Sequence, residues 1–222
     1  MKKRVLLIAA IAAGVFTTSN VNAQDFKPAG GEKNIEVNFT PLGGSPISIN
    51  NLRLRYFSSA DMAIRVGISV TSSSTTDVQL GAGTDGKGEL EDKSSSFGFA
   101  ISPGIEMHWE GTDRLSPYYG AEINFAMTSD TDTDQSWDGT KTVEAETTNG
   151  STTFGVNLLL GADYYFSKSI YMGTEVGFGF ASTSNADTEA TPPVGDKVVT
   201  PNGSSFNLGP NFNSAIRLGF LF

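Results

Sequence analysis

The chain has 222 residues, no cysteine, 18% charged residues and a formal net charge of -9. Disulfides, thiolate metal sites and lipid attachment through a cysteine are thereby excluded, and the acidic balance argues against nucleic acid as a partner. Beyond residue 16 no apolar run is long enough for a transmembrane helix, which leaves open a β-rich membrane protein, whose signal is alternation.

In chain order, Met1-Lys2-Lys3-Arg4 is a basic opening, followed by an apolar run from Val5 to Phe16 and a polar stretch ending Val21-Asn22-Ala23. That layout predicts a secretory signal peptide over residues 1–23, then a short periplasmic segment over 24–33. Segments of period two follow. The first, 34–40, sets Ile35, Val37 and Phe39 against Glu36 and Asn38. The second, 47–57, sets Leu52, Leu54 and Tyr56 against Arg53 and Arg55, with a bulge expected at Asn50-Asn51. The third, 62–70, places Ile64, Val66 and Ile68 opposite Arg65. The fourth, 96–109, opposes Phe97, Phe99, Ile101 and Met107 to Gly98, Glu106 and His108. Segments 117–127, 152–166 and 170–180 carry Glu122, Asp163 and Glu175 on their polar faces. The eighth starts near Phe206 and ends with Ile216, Leu218, Phe220 and Phe222 on one face and Arg217 and Gly219 on the other. Pro103 and Pro210 lack a ladder donor and predict local bulges.

The connections alternate in length. Residues 58–61, 110–116 and 167–169 read as short turns, while 71–95, 128–151 and 181–205 read as long polar loops, with 41–46 a shorter member of that set. This asymmetry is expected of an outer-membrane barrel. Ten residues tilted by roughly 40° rise about 25 Å, the height of the apolar band in such barrels. Tyr56, Trp109, Tyr119, Tyr164 and Phe222 fall near the short turns, and Phe39, Phe97, Phe125, Phe154 and Phe178 near the long loops, as two interfacial girdles would.

A hairpin is repeated. Phe97-Gly98 with Gly104, Glu106 and Trp109 matches Phe154-Gly155 with Gly161, Asp163 and Phe166, and Tyr118-x-Gly120-x-Glu122-x-x-Phe125 matches Tyr171-x-Gly173-x-Glu175-x-x-Phe178. With the opening Asn34-Ile-Glu-Val-Asn-Phe-Thr and the terminal Phe222, these residues make the chain resemble the small OmpA/OmpX-like outer-membrane β-barrel proteins of Gram-negative bacteria. The resemblance implies an all-β fold: an eight-stranded antiparallel up-and-down transmembrane barrel over 34–222, with short periplasmic turns and long extracellular loops. It also implies outer-membrane lipid and lipopolysaccharide as surroundings, and Phe220 and Phe222 as a signal read by barrel-assembly machinery. Arg217 departs from the pattern, where glycine is frequent, and Gly219 follows two residues later. Fold does not fix function in that group.

If the apolar faces meet lipid, the opposite faces enclose Glu36, Arg53, Arg55, Arg65, Glu106, His108, Glu122, Asp163, Glu175 and Arg217. An eight-stranded barrel is just wide enough to be filled by side chains, and charges there must pair or hydrate. Two outcomes follow: a salt-bridge network that closes the barrel, or a narrow polar path kept open by Gly98, Gly155, Gly173, Gly177 and Gly179. No catalysis is expected. The single histidine, His108, lies beside a short turn, no serine sits in a nucleophile motif, and a narrow barrel leaves little room for a polymeric substrate between paired carboxylates.

The stretch Asp130-Thr-Asp132-Thr-Asp134-Gln-Ser-Trp137-Asp138-Gly139 begins like a calcium loop. Gln135 then replaces the needed glycine, and Lys141 stands where the bidentate Glu belongs. The expectation is therefore no dedicated metal site and no cofactor: a merely solvated loop comes first, and weak divalent-cation bridging by Asp130, Asp132, Asp134 and Asp138 toward lipopolysaccharide is the functional alternative. Asp85, Glu89, Glu91 and Asp92 add negative charge nearby. The reading is a non-enzymatic outer-membrane protein with a structural or surface-interaction role, in envelope integrity or in adhesion to an extracellular ligand or host surface. The alternative is a porin-like, low-conductance channel for ions or small solutes. A soluble β-sandwich fits less well, because it predicts an apolar core in place of balanced inward charges.

Overall fold

A computed structural model describes residues 26–39, 47–82, 88–212 and 216–222. The expected signal peptide, the connection 41–46 and Asp85 lie outside the described residues. The fold is all-β and antiparallel. Its strands are β1 (Lys33–Phe39), β2 (Ile47–Ser59), β3 (Met62–Ala82), β4 (Gly88–His108), β5 (Leu115–Trp137), β6 (Thr142–Ser167), β7 (Ile170–Asn185), β8 (Thr188–Thr191), β9 (Val198–Thr200), β10 (Ser204–Phe212) and β11 (Ile216–Leu221). Each strand from β1 to β6 pairs with the next, β7 pairs with β11, and β11 pairs back to β1. The pairings therefore return to their starting strand. Lys33 and Phe222 exchange both backbone hydrogen bonds at that seam, at 2.9 and 3.1 Å.

Eleven strands stand where eight were expected. Pro192, Pro193 and Pro201 lie in the gaps that separate β8, β9 and β10, since proline supplies no ladder donor. β8 extends the edge of β6 beyond β7, and β10 and β11 both pair with β7.

The short connections are as tight as the sequence suggests: two residues separate β2 from β3 and β6 from β7. The long ones differ. β3 runs on to Ala82, β5 to Trp137 and β6 starts at Thr142, so most of 71–95 and 128–151 is paired strand. Thr is β-branched and suits a strand, and hydroxyls meet across the ladder in Ser74–Ser95 (3.3 Å) and Thr128–Ser151 (2.9 Å). Period two is silent there because both faces are polar.

The bulge expected at Asn50-Asn51 is present: Val37 pairs Leu52 but Asn38 pairs Ser48. Pro103 makes none. It pairs Val66 in register, and β4 keeps one register with β5 across Ile101–Phe125 and Gly104–Glu122; two rungs are missing there, without a shift. Pro210 likewise keeps register against Phe178.

The molecule is inside-out relative to a water-soluble domain. Leu158 is 63% exposed and Phe178 52%, while Arg65, Glu106 and Asp163 are fully buried. The apolar buried cluster is small, formed by Phe57, Ala63 and Leu221 near the short turns. An outward apolar face with a polar inside is the distribution that lipid demands. Trp109 stacks on Tyr119 at 5.8 Å and Tyr164 packs edge-on to Phe166 at 5.2 Å, all four exposed at the short-turn end.

Candidate functional site: a buried ion-pair cluster beneath a polar cavity

Antiparallel register brings the inward charges to one level. Arg53 pairs across the ladder with Glu36, and Arg55 lies directly opposite Arg65. Like charges in that relation repel, so they are stable only with carboxylates between them. Those come from across the ring. Arg55 Nη1 lies 2.6 Å from Asp163 Oδ2 and 3.2 Å from Glu106 Oε2, while its Nη2 meets Glu36. Arg65 Nη1 reaches Glu106 at 2.8 Å and Glu175 at 2.6 Å, and its Nη2 reaches Glu122 at 2.9 Å. Arg217 Nη1 donates to Glu36 at 3.0 Å and its Nη2 to Asp163 at 3.0 Å. Arg53, nearer the long strands, reaches Glu36 at 3.2 Å and Glu175 at 3.4 Å. His108 sits below, with Nε2 3.4 Å from Glu106 Oε2 and Nδ1 2.9 Å from Ser116 Oγ. The ten residues singled out in the sequence thus form one connected group.

Sequence reasoning passed over three inward tyrosines. Tyr118 donates to Glu175 at 2.5 Å and Tyr171 to Glu36 at 2.7 Å, and Tyr165 packs on Tyr171 at 4.9 Å. The signal was present, since Tyr118 and Tyr171 are the first residues of the repeated Tyr-x-Gly-x-Glu. Their rings need glycine opposite. A Cβ at Gly161 would lie 2.4 Å from Tyr118 Cζ, and one at Gly219 would lie 2.0 Å from Tyr171 Cζ.

The short-turn mouth is also crossed by chain. Gly31 N–H donates to Phe57 O, Pro28 is buried, and Phe26 lies under the Arg114 guanidinium at 3.9 Å. Residues 26–31 therefore run from the end of β2 to the β4–β5 turn. On the long-strand side of the ion pairs lies a cavity of about 420 Å³ lined by Arg53, Glu122, Asn124 and Asn157 among others.

Asp130, Asp132 and Asp134 lie along one face of β5, roughly 6–7 Å apart by strand rise. Asp138 is in the β5–β6 turn, where its Oδ1 accepts from Thr140 N, Thr140 Oγ1 and Lys141 N, each at 2.8 Å. These backbone donors hold the Asp138 carboxyl below its ordinary value. Among the described residues no group of three His, Cys, Asp or Glu converges as a metal site would require. Phe220 is partly covered and Phe222 is 59% exposed at the seam.

This arrangement, with apolar strands outside and paired charges inside, is that of an outer-membrane porin-like β protein. The chain belongs to the OmpA-OmpF-like porin family, whose model matches residues 43–195. No curated protein matches it.

Proposed function

We propose that the ring is an eight-stave transmembrane β-barrel of the outer membrane, non-enzymatic, closed to through-flow, with a structural or surface-interaction role. β10 and β11 count as one stave, and β8 and β9 as outward continuations of β7 and β10. The short turns face the periplasm and the long strands stand outside the membrane. The observation that carries the reading is the full burial of Arg55, Arg65, Glu106 and Asp163 in mutual contact across the ring. Ion pairs packed this way fill an eight-stranded interior, and opening it would strand uncompensated charges in a low-dielectric space. The crossing segment at Pro28 supports closure at the same end. On this reading Phe220 and Phe222 are presented to the assembly machinery, and the outer strands meet lipopolysaccharide or an extracellular partner.

The second reading, a low-conductance channel, is favoured by the cavity above Arg53. Conductance of the refolded protein in a planar lipid bilayer separates the two. Heat-dependent gel mobility establishes that the barrel has folded. A folded, electrically silent protein is the expected result, and discrete, reproducible current steps would overturn closure in favour of the channel.

A further inference from the structure

Above the ion pairs the described residues leave a cavity. Gly67, Gly155 and Gly177 contribute no side chain there, and the cavity of about 420 Å³ that remains is within the size range of small-ligand sites. Its floor is Arg53, Glu122 and Glu175, and Asn51, Asn124 and Asn157 supply carboxamides to its walls.

The charge at this floor does not balance. Apart from His108, which lies beside Glu106 on the far side from the cavity, the connected group holds five carboxylates (Glu36, Glu106, Glu122, Asp163, Glu175) against four guanidiniums, and the carboxylates at the cavity share theirs. Arg65 is shared by Glu106, Glu122 and Glu175; its Nη2 serves both Glu122, at 2.9 Å, and Glu175, at 3.2 Å. Arg53 meets its two carboxylates at the longer distances of 3.2 and 3.4 Å. The second oxygen of Glu122 is met by the Asn157 amide at 3.3 Å.

The approach is acidic as well. The β3–β4 and β4–β5 registers run unshifted from the cavity outward, so Asp77, Asp92 and Asp134, direct cross-strand neighbours, share the strand face of Arg65, Glu106 and Glu122. Beyond the cavity this face of β3 to β7 carries no Lys or Arg among the described residues. Rows of like charge raise the energy of the ladder and concentrate counter-ions at the mouth they line.

We infer that the cavity is a binding site for one small organic cation, a primary amine. An ammonium offers three donors and no acceptor, which suits the carboxylates of Glu122 and Glu175 and the carboxamide oxygens, and it supplies the missing charge. Its short carbon chain lies against Leu159 and Ala181, which also line the cavity. A divalent metal fits less well, because no three ligands converge among the described residues.

The test titrates butylamine into the folded protein in detergent micelles and follows the Asn124 and Asn157 side-chain amides by NMR, with butanol as an uncharged probe of the same shape. Saturable shifts are expected with butylamine, weakened by salt, and none with butanol. Glu122→Gln should weaken binding by about tenfold or more, the effect of losing roughly 1.4 kcal/mol. Gly67→Leu should abolish it, because a Cβ there meets Ser102 at an ordinary 3.4 Å and the added side chain fills the cavity. Unchanged heat-dependent gel mobility verifies the fold of each variant. Absence of saturable shifts in the parent protein, an equal response to butanol, or undiminished binding in Gly67→Leu would each overturn the inference. No current is read, so a barrel that conducts leaves this test intact.

Discussion

Glu36 accepts from three guanidiniums, those of Arg53, Arg55 and Arg217, and from the Tyr171 hydroxyl. Removing its charge leaves all three cations short of a partner in a space with little water. Breaking a buried pair by deleting one member costs about 3–5 kcal/mol, so Glu36→Gln is expected to lower the unfolding free energy by an amount in that range, read as a lower urea midpoint at an unchanged slope. A shift below 1 kcal/mol, roughly the value of an exposed pair, would show that the cluster is hydrated. Gly219 explains a departure noted in the sequence. Arg217 takes the position where glycine is frequent because its guanidinium bridges Glu36 and Asp163, and glycine two residues on admits the Tyr171 ring. Gly219→Ala forces that ring off Glu36. Overpacking of this kind costs about 1–3 kcal/mol. Tyr171→Ala in the same chain should recover part of the loss, a non-additivity that a double-mutant cycle measures; strict additivity would mean that the two residues do not interact.

At the scale of elements, alternation was legible wherever one face meets lipid and the other the charged interior. Ile64, Val66 and Ile68 against Arg65 could be read directly, and so could the inward set of ten. Beyond the apolar band the signal vanished, although the strand did not: Thr131, Asp132, Thr133 and Asp134 continue β5 with polar side chains on both faces, and a polar run of that kind reads as loop. The inward tyrosines were passed over because each adjoins girdle aromatics or short turns, although Tyr118 and Tyr171 share the parity of Glu122 and Glu175. The outer β5–β6 hairpin is held by its own ladder and by the turn at Asp138, with Gly139 at a φ of 99°. Replacing 133–146 with a two-residue turn should therefore leave heat-dependent mobility intact; loss of the folded band would show that the ring depends on the extension. The turn has its own pH dependence. Backbone donors from Lys141 and Thr140 depress the Asp138 carboxyl, so its contribution is complete above its ordinary value of 3.8 and is lost as pH falls through the lower folded value. The Thr140 and Lys141 amide shifts should move together below pH 3.8 and stay still in Asp138→Asn.

Across the whole molecule the two regions separate charge in different ways. In the ring, acids and guanidiniums are paired and, apart from Arg53 and Glu122 at the cavity, buried. In the outer extension, ten carboxylates of 71–95 and 128–151 face two lysines among the described residues, and Asp92 lies directly opposite both Asp77 and Asp134. Salt acts on exposed charges and far less on buried ones, with a Debye length near 10 Å at about 0.1 M and 3 Å at about 1 M. Raising NaCl between these limits should relieve repulsion in the extension while leaving the ion-pair cluster unchanged. Hydrogen exchange resolved along the chain reads both at once. Amides of 128–137 and 142–151 are expected to gain protection with salt, and those of 34–37 and 53–57 to stay constant. Loss of protection in 53–57 at high salt would place mobile ions inside the ring, and closure by buried ion pairs would then give way to a hydrated, ion-accessible interior.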